Sequence, residues 1–427
     1  MKQFWVLLTC LLTSLTSISQ LSSDLIKTDF VLYQRRVAFD KHMRAQLING
    51  SFAQSLDSNS EDKYREALWA ISQFLLQSSE IAHGFSKLFE KYSSLEITTK
   101  RAFLEAIYGA YPFEYEKEIE RLIGNETNPK LFAMQALYLY RNNSSNANTG
   151  KLLQTMEKQF KNYQETIVLS ELENYMVNHH TLAGSPTPDI SLLFEQQKIL
   201  GQKIIYSFQR WNRDYPGLAI IQFADGSFAK DTAGKLRSFQ QLARSASDLP
   251  YFVTNGSTPQ GIYSIQGTEV SHNNFIGPTP NIQLIMPNET DSLFWHTTYD
   301  SSKDALTNYL QLLPTVWQNY LPMQEAFNAG KAGRTEIIAH GTTIDPDYFK
   351  DKPYYPLTPT LGCLCAKELW NIFNGKFLES DQFTLTQSFL TTPSKKGYLI
   401  VINLDNQDKP VTADEIEKVV KQFESKK

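Results

Sequence analysis

Cysteine is scarce in this chain of 427 residues, with three in all, and histidine is little commoner at seven. So few thiols exclude a disulfide-stapled scaffold. There is no surplus of positive charge either. Forty-one Lys and Arg stand against 45 Asp and Glu, a net charge of −4, which leaves no electrostatic footprint for nucleic acid. Long apolar runs are missing after the first residues, so no later segment is expected to span a membrane. Hydrophobic residues at 41% and charged residues at 20% describe an ordinary globular protein with room for two or three domains. Aromatics are plentiful, with 26 Phe and 21 Tyr.

Residues 1–19 have the parts of a secretory signal peptide. Lys2 supplies the positive start, Phe4 to Leu12 the apolar centre, and Ser17-Ile18-Ser19 a small-x-small cleavage site ahead of Gln20. The apolar run is too short for an anchor, and Cys10 lies too early in it for lipidation. The mature chain is therefore expected to be exported, to a periplasmic or cell-envelope location, with Cys363 and Cys365 as its remaining thiols. A bridge between cysteines two apart would be strained, and a free thiol in an oxidising compartment points to use.

Two regions differ in pattern. From 24 to about 161, apolar residues recur at helical spacing, as in Leu68, Ile71 and Leu75, or Leu131, Met134 and Tyr138. Further helices are expected over 151–178 and from 190 to about Trp211. The helices suit a bundle or an irregular solenoid equally. After Pro216, short apolar runs and turn signals take over: 218–223 before Asp225-Gly226, then 251–253, 261–266, 282–286, 293–296 and 398–403. Helices are expected at 235–246, 304–329 and 413–425. The expected fold class is α+β and multidomain. A helical domain at 20–210 precedes a mostly β domain at 211–427, sandwich-like and carrying helical insertions.

Chemistry concentrates at T-P-T-L-G-C-L-C-A-K-E-L-W, 358–370. Gly362 leaves room beside Cys363, and Ala366 to Leu369 are helix formers, so the thiol is expected just ahead of a helix whose positive end favours thiolate. E-I-I-A-H-G-T, 336–342, reads as a buried strand delivering His340, the usual kind of base for a Cys nucleophile.

Three stretches in this order resemble the L,D-transpeptidase (YkuD-like) catalytic domain of cell-wall enzymes: Thr258-Pro259-Gln260-Gly261-Ile262-Tyr263, His340-Gly341, and Thr360-Leu361-Gly362-Cys363. The resemblance runs from about Pro216 to Asp405. It departs from the family at Leu361, where a His is usual, and at Cys365, where Arg or Asn is usual. The 19 residues between His340 and Thr360 are also more than the family carries. The resemblance implies Cys363 as nucleophile and His340 as base. Gly341, Thr360 and Gly362 are then implied around the substrate and its oxyanion. It implies peptide stems of peptidoglycan as substrate, with acyl transfer to an amine or water, and neither metal nor organic cofactor. A Cys363–Cys365–His340 zinc site lacks the spacing of a strong motif. His272 and His296 stand as substitutes for the missing motif His, and Tyr348, Tyr354 and Tyr355 as a lid or as packing. The helical region is expected to meet the wall or a protein partner. Two other readings stay open, a peptidoglycan amidase or hydrolase and a catalytically weak wall-binding scaffold.

Overall fold

A computed structural model describes residues 22–426. The signal-peptide expectation for 1–19 lies outside them.

The first half is helical. Helices Glu61–Phe74, Ile97–Ala110, Pro129–Asn142 and Ile167–Ala183 pack one on the next in a row. Glu116–Ile123 and Asn146–Gln159 lie between them in sequence and lean on the third helix of that row. Local chemistry sets the boundaries. Asn128 accepts hydrogen bonds from the N–H groups of Lys130 and Leu131, and Pro129 takes the first helical position, where no donor is lost. Every residue from Leu131 to Tyr140 is buried, so this helix is the centre of the layer and shows no polar face.

The second half is a closed barrel of eight strands: β1 (Lys203–Gln209), β2 (Gly217–Gln222), β3 (Phe239–Leu242), β4 (Gly261–Glu269), β5 (Asn281–Ile285), β6 (Ala339–His340), β7 (Leu364–Ala366) and β10 (Gly397–Asn403). Its order is β1-β10-β4-β5-β6-β7-β3-β2, closing on β1. The pairs β1–β10 and β6–β7 are parallel and the rest antiparallel. A separate hairpin joins β8 (Glu368–Trp370) to β9 (Phe377–Ser380). Alternate residues such as Ile205, Ile221, Tyr263, Leu399 and Val401 fill one core. Their neighbours Tyr206, Ile220, Ile262 and Ile400 meet the helices Ser191–Leu200, Ala305–Leu310 and Ala413–Glu424. Burial on both faces explains why these strands are continuous apolar runs rather than alternating ones.

Several expectations are corrected. The sheet closes as a barrel instead of stacking as a sandwich. The helix expected to reach Trp211 ends at Leu200, where Gly201 adopts a left-handed φ of 62°, and 203–209 is the first barrel strand. That strand falls inside the segment expected to be helical, and its Ile, Tyr and Phe residues suit a sheet. Residues 235–246 contain β3, not a helix. The 293–296 stretch begins in the short helix Asp291–Phe294, and 251–253 is turn. The helix expected after Cys363 is replaced by β7 and β8, where pairing of β7 with β3 and β6, and of β8 with β9, overrides the helix propensity of Ala366 to Leu369.

The helical cluster extends into the second half of the chain. Leu242 at the end of β3, and Leu249, Phe252, Phe349, Tyr354 and Leu357 from barrel loops, join the helical cluster. The strip 26–33 is tied to the β8–β9 hairpin: Thr28 N–H donates to Gly375 (2.9 Å), Tyr33 N–H to Ile372 (2.9 Å), and Ile26 and Val31 pack on Trp370. Among the described residues no helix is long and apolar enough to cross a membrane.

Candidate active site around Cys363

The apolar run ending at His340 becomes β6, and the parallel register sets Ala339 against Leu364 and His340 against Cys365. Ala339 and Leu364 point into the barrel core, so His340 and Cys365 lie on the outer face. Parallel neighbours need a crossover. Here it is the loop 341–363, and it is docked rather than free. Tyr348 donates to Asp40 (2.9 Å) and sets its ring centre 4.7 Å from that of Phe74 in a tilted pair, while Asp345 pairs with Arg36 at 2.9 Å. Tyr348 and Tyr354 are thus packing residues, whereas Tyr355 is exposed. Within the loop, Thr358 donates to Thr342 (2.9 Å), and the Thr342 N–H donates to the Glu368 carboxylate (2.8 Å). Burial pushes Glu368 up to about 7.

Cys363 comes one residue before β7 and is partly exposed. Its Sγ accepts from Ile338 N–H and donates to the Glu336 carbonyl, both at 3.5 Å. Glu336 holds a left-handed φ of 61°, an uncommon conformation for a residue with a side chain. Burial raises the thiol, with the Ile338 N–H and the Arg334 guanidinium pulling it back and Glu336 pushing it up. No helix follows to favour the thiolate, which corrects the expected source of activation. Cys365 is fully buried, and burial lifts it to about 12.

His340 is buried, and its Nδ1 faces the Gly341 carbonyl. A neutral ring donating from Nδ1 leaves the lone pair on Nε2. Burial lowers His340 to about 4, so it is neutral at pH 7. Neither sulfur hydrogen-bonds to this ring among the described residues, and it is Cys365, not Cys363, that stands opposite His340 in register.

The turn before Cys363 is held by hydroxyls. Thr360 Oγ1 donates to the Cys363 carbonyl (2.8 Å) and accepts from Gly362 N–H (3.0 Å), and Thr258 donates to the Gly362 carbonyl (2.9 Å). The Gly362 N–H is therefore engaged within the turn. Gly341 is buried, and a Cβ there would lie 2.1 Å from Glu368 Oε2. His296 is engaged with Ser264 (2.8 Å) and the Ile265 carbonyl (3.1 Å) of β4, and His272 is exposed.

Arg334 is the residue that sequence reasoning missed. It is buried and donates to the carbonyls of Tyr251 (2.6 Å), Gly256 (2.9 Å) and Ser257 (3.0 Å), with no ion pair to a carboxylate among the described residues. Burial lowers it to about 10, where it remains a cation at neutral pH. Nothing in its spacing from Cys363 signals this role; the loop Gly256–Thr258 brings the two together. The arrangement offers a reachable thiol, a buried positive charge beside it and a neutral imidazole on the neighbouring strand. No group of three or more His, Cys, Asp or Glu that could hold a metal occurs among the described residues.

No family model, curated protein or solved structure matches this chain.

Proposed function

We propose that the protein is an exported cysteine acyltransferase of the cell envelope, resembling L,D-transpeptidases and acting on peptide stems of peptidoglycan. The observation that carries this reading is the partly exposed Cys363 set beside the buried Arg334, one strand from a neutral His340. The Cys363 sulfur attacks the carbonyl of the third stem residue, and its proton passes to a base, His340 in this reading. The C–N bond to the terminal residue breaks, that residue leaves as an amine carrying the proton, and a thioester remains. An acceptor amine or water then takes the acyl group and restores the thiol. Arg334 stabilises the thiolate and the charge that develops next to it.

A second reading, a wall-binding scaffold with little turnover, is favoured by the raised Cys363 thiol and by the engaged Gly362 N–H. Incubation with purified muropeptides, followed by mass spectrometry of protein and products, separates the two. Acyl-enzyme on Cys363, with cross-linked or trimmed stems lost in Cys363→Ala, supports the enzyme. Unchanged muropeptides and unmodified protein refute it.

A further inference from the structure

A cleft of about 350 Å³ opens between the helical row and the barrel loops, and neither Cys363 nor His340 lines it. Two cations face it. The Arg141 guanidinium lies 3.4 Å from the Tyr108 ring centre and donates to the Tyr108 carbonyl at 2.7 Å. Arg213 donates to the carbonyls of Arg210 (3.2 Å) and Thr258 (3.0 Å). Neither forms an ion pair with a carboxylate among the described residues. Burial lowers Arg213 to about 10, partly offset by Glu325, so a ligand anion would relieve a desolvated cation.

Two further wall groups are unsatisfied. Trp211 Nε1 and Asn403 Oδ1 are buried without a hydrogen-bond partner among the described residues, and Asn403 is only 2% exposed. Buried groups of this kind call for a partner. One donor and one acceptor are the complement of a peptide amide. Tyr175 and Tyr251 add aromatic surface, and Asp248 and Glu325 in the same walls disfavour a dianion such as phosphate.

We propose that this cleft binds the C-terminal end of a short peptide. The guanidiniums of Arg141 and Arg213 take the carboxylate, Trp211 and Asn403 take the last amide, and the tyrosines take its side chains. The site stands apart from the thiol and does not depend on acyl transfer.

The test is titration calorimetry on the full chain with N-acetyl-alanyl-alanine, its C-terminal amide and inorganic phosphate, with melting temperatures in parallel. The acid is expected to bind in the millimolar range or tighter, and the amide about tenfold more weakly. Arg141→Gln should weaken the acid about tenfold. Trp211→Phe, which keeps the aromatic ring and loses only the donor, should weaken it with little change in melting temperature. Cys363→Ala should bind as the unaltered chain does. Equal binding of acid and amide, tighter binding of phosphate, no binding of the acid, or loss of binding in Cys363→Ala would each overturn the proposal.

Discussion

The guanidinium of Arg334 is packed against the α-carbon of Gly362. A Cβ at 362 would lie 2.3 Å from Arg334 Nη2 and 2.6 Å from the Gly256 carbonyl oxygen. Gly362 also holds a φ of 115°, where side chains are strained. Gly362→Ala is therefore expected to cost about 2–4 kcal/mol of stability, read by urea unfolding. A loss below about 1 kcal/mol would mean that the turn relaxes freely and does not hold the guanidinium in place.

Arg334→Met removes the cation that favours Cys363 thiolate. The pH at which iodoacetamide labelling of Cys363 accelerates should move upward, and Arg334→Lys should fall between the two. Labelling curves that superimpose for all three chains would remove Arg334 from any part in thiol activation.

The two thiols should separate by accessibility. In the folded protein, alkylation and peptide mapping should find label on Cys363. Cys365 should react only after denaturation, being fully buried with its thiol pushed up to about 12. Preferential labelling of Cys365 would reverse the assignment of the nucleophile.

His340 is held neutral by burial, down to about 4. If it accepts the thiol proton, acyl-enzyme formation should persist through pH 5 and fall only as the pH approaches 4, rather than near the ordinary value of 6.5. Intact-mass measurement across this range checks it. An acid limb centred near 6.5 would point to another base.

Glu368 gives a stability test that needs no substrate. Its carboxyl is raised from 4.5 to about 7, chiefly by burial, so the folded chain holds a proton that the unfolded chain releases. The associated stability is fully present below about 4.5 and is lost as the pH rises through about 7. Glu368→Gln keeps the shape and cannot ionise. It should show a shallower fall of unfolding free energy between those pH values, measured by denaturant titration. Parallel profiles would mean that Glu368 ionises without cost.

What the sequence made legible followed the length of each signal. β4, β5, β10 and the closing helix Ala413–Glu424 lie near their expected places, because each carries a full run of its own period. The barrel's closure was not legible, since β6 and β7 are two and three residues long and carry no periodicity. The helix formers Ala366 to Leu369 misled for the same reason: pairing supplied by β3 and β6 to β7, and by β9 to β8, outweighs local preference. At the site, His340 could be found as the polar end of an apolar run, and Cys363 as a thiol beside a glycine. Arg334 could not, because its relation to Cys363 is made by carbonyls 77 to 83 residues away along the chain.

The strip from Ile26 to Tyr33 finds its backbone partners at Ile372 and Gly375, and a Cβ on Gly375 would strike the Thr28 carbonyl at 2.4 Å. In order of synthesis, the first described residues must wait for some of the last before they can settle. The helical row can form early from neighbours in sequence, but this seam closes only after the β8–β9 hairpin has been made. A chain halted short of residue 370 would leave Ile26 and Val31 uncovered, so this strip would report whether the β8–β9 hairpin has been made.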